Sequence, residues 1–462
     1  MKLIATAALA AVLLVSACGG TDDTAPPEAS PPNASAALAM LLDEHFERNL
    51  EMNPLSATFI GDGRYNDRMA NTNSPEYRAA AVSMNEEFLE RLLEIDRGQL
   101  DYQDQLSYDL FRIKRQQSLE GYRFPSHLAP VNQFYSLTSM FVQLGSGSSA
   151  HPFKTVKDYD DFLSRADQFA TNIDQIIANM KQGMSEGVVQ PRILMAKLAP
   201  QLESQFVDDP KASSFYSPVR QMPAEIGEAE QARLAAAYED KISNTIIPAY
   251  ERLHNFVIDD YLSAARESVG LSALPNGEEW YAYLVRVRTT TDMTPEQIHQ
   301  IGLDEVARIH TEMRGVMEEV GFEGGLQDFF DFVNTDEQFF FDEAEELIQG
   351  YRDMSDHISE LSTSLFEIFP KTAFEVRRVE PFREQSAAGG SYMAGTADGS
   401  RPGVFYANAY DIKARGKWAM ESLFLHEAIP GHHFQSMIQR ENENLPDFRR
   451  YGGFTAFSEG WG

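Results

Sequence analysis

Helix punctuation constrains this chain more than any other feature of its sequence. Thr294-Pro295-Glu296-Gln297 supplies a capping hydroxyl, a proline where the first helical N–H lacks a partner anyway, and an amide side chain placed to reach back to the cap. The helix it predicts runs to about Val320. Ser74-Pro75 opens a second such stretch, "SPEYRAAAVSMNEEFLERLLEIDRG", with apolar residues near helical spacing and a closing glycine. Further amphipathic stretches read from Val156 to Lys181, from Glu225 to Ala265 and from Asp342 to Ile368. Strand signals are few. "FEVRRVEP" from Phe374 and "GVFYAN" from Gly403 to Asn408 carry β-branched and aromatic residues, and the glycine-rich segment between them reads as loop. The expected fold is mainly α, one large helical domain over residues 37–462 with a small β-sheet.

The chain has 462 residues, 43% hydrophobic and 24% charged, a globular composition long enough to bury a large core. Its 70 acidic against 39 basic residues give a formal net charge of −31, which repels polyphosphate and anionic lipid surfaces. Nucleic acid is therefore not an expected partner.

At the start, Lys2, an apolar run from Leu3 to Val15 and small residues up to Cys18 have the layout of a secretory signal, too short to span a bilayer. "VSAC" resembles the lipobox of bacterial lipoproteins, which implies a signal peptide over residues 1–17 and lipidation of Cys18. Residues 18–36, rich in Pro, Ser, Thr and Ala, read as a flexible tether. Cys18 is the one cysteine, so no internal disulfide can form. Gly19 follows it where an aspartate would signal retention, and resemblance to sorting rules implies the outer membrane, facing the periplasm. Membrane contact is expected through the lipid anchor only.

"LFLHEAIPGHHFQ", Leu423 to Gln435, carries the chemistry. Two histidines bind one zinc when their nitrogens converge to roughly 3–4 Å, which i, i+4 spacing on a helix achieves. Here Pro430 occupies that place. His426 and His433 share a helix face but stand about 10.5 Å apart along the axis, and His432 lies about 120° off that face. Neither pair works in a regular helix. Pro430 and Gly431 forbid a regular helix, however, and an outward bulge of residues 428–431 would return His432 to the ligand position. Glu427 would then act as general base on water beside the metal. A third ligand is needed, and Glu459 in "YGGFTAFSEGWG" is the candidate, in a separation that resembles the Glu-zincin arrangement. His433 remains the alternative ligand, or else a group that supports the ligands or meets substrate. His254, His299 and His310 lie in helical stretches without ligand partners and read as structural or surface residues.

These residues resemble domain-of-unknown-function family 885 (DUF885), a group of presumed bacterial zinc metallopeptidases. The resemblance is carried by "NPLSATFIGDGRYNDR", "DQLSYDLFR", "GLSALPNGEEWYAYLVR", "DGSRPGVFYAN", "HEAIPGHHFQ", "LPDFRR" and "FSEGWG", and spans nearly everything after the tether. It implies a clam-shaped helical gluzincin domain similar to angiotensin-converting enzyme and thimet oligopeptidase, whose "HExGH" also sets a glycine before the second histidine. By that comparison His432 is the ligand, and one zinc ion is the cofactor. It also implies an edge strand beside the zinc helix that pairs with substrate backbone. "GVFYAN" is the candidate, with Tyr406 and Asn408 as substrate-binding residues and Arg401 as an anchor for a substrate carboxylate. Family members continue past the glutamate of "EGW", so the C-terminal part of the domain is expected to be missing after Gly462, including the group that stabilises the oxyanion. Whether such a chain is active by itself stays open.

The expected function is a zinc-dependent hydrolase of short peptides in the bacterial cell envelope. Its rivals are a non-catalytic, peptide-binding envelope lipoprotein and a metal-dependent hydrolase of a non-peptide or cell-wall amide. Oligomeric state is not legible in the sequence.

Overall fold

The side-chain carbonyl of Asn33 accepts from the N–H of Ala36 at 2.9 Å and opens the first helix of the computed structural model, which describes residues 33–134, 136–381, 383–385 and 387–462. The expected signal peptide, Cys18 and nearly all of the tether lie outside the described residues. Helix α1 (Ala34–Met52) starts within what reads as the end of the tether. It packs with α3 (Pro75–Leu93) and α4 (Tyr102–Gly121) around a small core that includes Leu41, Phe88 and Phe111, while α2 (Pro54–Ile60) turns Leu55 and Phe59 to another, larger core.

The helix starts read from sequence are present. Ser74 caps α3 by accepting from the N–H of Tyr77, with Pro75 at the first position. Helix α5 (Val156–Glu186) carries a full capping box from Thr155 and Asp158, and runs past Lys181 to stop at Gly187, whose φ of +75° suits glycine. Its buried face holds Phe162, Phe169 and Ile173, the centre of the largest core, where the rings of Phe141 and Phe169 stack at 4.1 Å.

The stretch expected between Glu225 and Ala265 is a chain of segments, with α6 (Glu228–Lys241) and α7 (Ile247–Phe256) joined by a π turn over Ile242–Ile246. Pro248 explains the join. Its ring crowds the carbonyl one turn back and it has no N–H to give, so the helix widens before it instead of breaking. Helix α8 (Pro295–Glu319) has the expected Thr294–Gln297 capping box and buries only Met317 among its residues. Helix α9 (Ala344–Ser362) is shorter than the segment read from sequence.

Strands β1 (Phe374–Arg378), β2 (Gly390–Met393) and β3 (Gly403–Ala407) form a sheet of order β1-β3-β2, with β1 parallel and β2 antiparallel to β3. Two expectations are corrected here. The glycine-rich segment read as loop contains β2, because Ser391, Tyr392 and Met393 find partners at Tyr406, Phe405 and Val404. Strand β3, expected at an edge, lies in the middle with every residue buried, so its backbone is already paired on both sides. Phe405 packs on Tyr351 of α9 at 5.0 Å and on Phe424 at 5.9 Å, which fixes the sheet against α9 and α10 (Met420–Glu427); α11 (His432–Glu441) and α12 (Thr455–Trp461) come after α10 in the chain.

Candidate metal centre

The joint between α10 and α11 is the local feature that builds the site. Helix α10 ends at Glu427, and Ala428 still donates to the Phe424 carbonyl at 2.8 Å. The chain then leaves the helix through a cis Ile429–Pro430 peptide and re-enters at His432. The N–H of His433 closes the excursion by donating to the Ala428 carbonyl at 3.1 Å. The His426 and His432 rings therefore sit 4.6 Å apart, centre to centre, as the outward bulge predicts. Gly431 is required by crowding. A Cβ there would lie 2.0 Å from the His426 carbonyl oxygen and 2.2 Å from that of Leu425.

Helix α12 brings the third group. Trp461 donates its indole N–H to the Pro430 carbonyl at 2.7 Å, and Thr455 accepts from Arg288 at 3.0 Å, so both ends of this short helix are tied. Glu459 Oε2 then stands 3.6 Å from His426 Nε2 and 3.9 Å from His432 Nε2. Candidate ligand atoms of all three residues lie within 4.8 Å of one another. The carboxylate is too far from either ring for a hydrogen bond. It is close to the spacing of about 3.4 Å that donors around a tetrahedral zinc at about 2.1 Å adopt. Two imidazole nitrogens and a carboxylate oxygen are also a donor set that zinc takes. The residues fit the ion. With side chains 36%, 16% and 56% exposed, respectively, His426, His432 and Glu459 leave an open approach.

Glu427 is half buried next to His426. Burial raises its carboxyl above the ordinary range and the Glu459 charge adds to this, while the two imidazoles and the nearby backbone N–H of Tyr392 pull the other way. Tyr392 is the residue that sequence reading missed, because its strand hides in a glycine-rich segment with no clear alternation.

His433 turns away from the cluster. It is 3% exposed, shares a 2.9 Å hydrogen bond between Nδ1 and the Tyr392 hydroxyl, and packs its ring 5.0 Å from that of Phe374. Burial pulls its pKa down to about 4, which keeps the ring neutral. A Cβ at Gly403 would lie 2.6 Å from this ring, so β3 carries glycine where His433 crosses it.

The three residues expected to bind substrate are engaged elsewhere. Arg401 donates to the Phe59 carbonyl at 2.6 Å, tying the turn before β3 to α2. The Tyr406 hydroxyl donates to the Ser148 carbonyl at 3.0 Å. Asn408, 1% exposed, donates to the carbonyls of Glu384 and Ala387 and accepts from the N–H of Tyr410. None of the three belongs to the His426, His432, Glu459 cluster.

The family described as "Bacterial protein of unknown function (DUF885)" matches residues 54–462. Among solved structures, the chain is similar to a presumed lipoprotein from Colwellia psychrerythraea, with a TM-score of 0.83 and 23% identity over 93% of this chain and 76% of that one. It is also similar to a presumed lipoprotein of unknown function from Shewanella oneidensis, with a TM-score of 0.62 and 15% identity over 92% and 76%. At these identities the likeness establishes the fold. No curated protein matches.

Proposed function

The chain belongs to the DUF885 family, and from the cluster formed by its "HEAIPGHH" and "EGWG" residues we propose that it is a zinc-dependent peptide hydrolase of the bacterial cell envelope. The observation that carries this reading is the convergence of His426, His432 and Glu459 from three helices, with the Glu427 carboxylate beside them. A purely structural cluster would close with hydrogen bonds, whereas these separations are too long for them.

His426, His432 and Glu459 would hold the ion. When bound, zinc supplies Lewis acidity to a carbonyl and to water. Glu427 takes a proton from the attacking water on a carboxylate oxygen and passes it to the leaving amine nitrogen. The backbone N–H of Tyr392 lies beside that carboxylate, and His433 bonds the Tyr392 hydroxyl. The strand that a peptide would join by main-chain pairing is β2, at the edge of the sheet nearest Glu427, and not the buried β3. Short peptides are the proposed substrates.

The envelope location rests on the signal-like segment ending at Cys18 and on the lipoprotein descriptions of the two similar structures. Attachment by lipid at Cys18 to the outer membrane, facing the periplasm, is part of the proposal. A Cys18→Ala variant that still fractionates with membranes would remove it.

The test of the activity is metal analysis of the purified protein together with mass-spectrometric mapping of cleavage in a peptide library. One zinc per chain, and cleavage that a chelator abolishes and added zinc restores, is expected. Zinc without any cleavage would make the protein a binding module. Cleavage restricted to cell-wall amides would move the substrate class.

A further inference from the structure

Phe457 and Trp461, one turn apart on α12, line a cavity of about 1300 Å³, while Glu459, two positions from each, turns to the opposite side of the helix. The cavity and the metal centre therefore lie on different sides of α12, and both are bordered by α11, which carries His432 at the centre and Phe434 and Ile438 at the cavity. Most of the cavity wall is apolar and aromatic, with Phe46, Leu110, Ile113 and Ile438 beside the two α12 residues.

Two cations of α4 enter this wall, Lys114 and Arg115, and among the described residues neither pairs with a carboxylate. The Lys114 ammonium lies 4.0 Å from the centre of the Phe454 ring. Arg115 lies over Phe111 at 4.9 Å and donates to His45 Nε2, while its own Nε is buried with no partner. His45 does not offset that charge, since burial and the neighbouring Arg115 hold its pKa down at about 3 and the ring is neutral. Burial, then the like charges of Arg115 and Arg288, lowers Lys114 too. The acids at the cavity, Glu367 and Asp292, are exposed and pair with neither cation, and of the two further cations Arg286 is held by Glu120 at 2.5 Å and Arg449 donates to Gln103 and Ser107.

Two adjacent, partly buried cations with no carboxylate partner among the described residues are costly to keep. They are the more conspicuous in a chain with 70 acidic residues and a formal net charge of −31, where carboxylates to pair with are plentiful. An aromatic-lined chamber with an unneutralised cationic corner is complementary to a molecule with an apolar body and one anionic end. We propose that this cavity binds an amphiphilic monocarboxylate, its carboxylate on Lys114 and Arg115 and its apolar body among Phe454, Phe457 and Trp461. The source of such a group is an acyl chain or the free C-terminus of an apolar peptide.

Calorimetric titration of the purified protein with octanoate and with N-acetylphenylalanine, each beside its own amide, tests this without reference to hydrolysis. At least one acid is expected to bind one per chain and at least tenfold more tightly than its amide, and the tighter acid names the source. Lys114→Met is expected to weaken that binding at least tenfold with the unfolding temperature preserved. Arg115→Lys, which keeps the charge but loses the planar fork, is expected to weaken it less. Equal affinity for acid and amide, no binding of either acid, or unchanged affinity in folded Lys114→Met would overturn the assignment. Zinc content and peptide cleavage are expected to be the same in the Lys114→Met variant as in the parent, so failure of this site and failure of the metal reading are distinguishable.

Discussion

A Cβ on Gly431 would fall 2.0 Å from the carbonyl oxygen of His426, a backbone atom at the end of α10 that has no room to give way. The two helices that supply the histidines meet through this contact, and it holds the His426 and His432 rings 4.6 Å apart. Gly431→Ala must push α11 away from α10. A loss of roughly 1–3 kcal/mol is expected from overpacking of this kind. Zinc affinity should fall with it, as urea unfolding and zinc titration of the same preparation would show. A variant with parental affinity would mean that the joint is softer than its packing implies.

The adjacent histidines should separate cleanly. His432→Ala is expected to abolish tight zinc binding. His433→Phe should retain one zinc per chain and lose about 1–2 kcal/mol of stability, because it leaves the buried Tyr392 hydroxyl without its partner. Metal content by mass spectrometry, with thermal unfolding alongside, distinguishes the two, and loss of zinc from His433→Phe would reverse their roles.

Acid sensitivity should come partly from two buried histidines outside the His426, His432, Glu459 cluster. Burial and the Arg165 charge hold His151 at about 4, and burial with Arg115 and Arg48 holds His45 at about 3. The unfolded chain protonates both near pH 6.5. Between about pH 6.5 and 4 it therefore takes up protons that the native state refuses, and stability falls as pH falls, by at most about 1.4 kcal/mol per unit for each ring. Replacing His151 by Gln should flatten this slope in denaturant midpoints measured across that range. An unchanged slope would contradict the assignment.

Asn408→Ala should cost roughly 1–3 kcal/mol, since it strips the hydrogen bonds its side chain gives to the carbonyls of Glu384 and Ala387. It should leave zinc content and KM for any cleaved peptide unchanged, because the side chain is spent inside the fold. A raised KM at full stability would return Asn408 to the substrate site.

What the sequence disclosed and what it withheld follow a physical divide. Capped helix starts at Ser74 and Thr294 are local events between residues three apart, and both are present. The bulge at Pro430-Gly431 was legible for the same reason, since a proline and a glycine act on their own backbone. Strand β2 was not legible, because what makes it a strand is its pairing with Tyr406, Phe405 and Val404, remote in sequence. The central place of β3 was hidden in the same way, and with it the commitments of Arg401, Tyr406 and Asn408 to carbonyls that only the fold brings near. The family match over residues 54–462 agrees with the resemblance read from the motifs. It does not extend to a reaction.

The central claim is that Glu427 moves the proton in a zinc-dependent hydrolysis. Its most direct test is the cleavage rate of one peptide by parent and Glu427→Gln proteins at equal, measured zinc occupancy. A loss of about 10²–10⁴-fold with the metal retained is expected for removal of a general base, and equal rates would contradict the account.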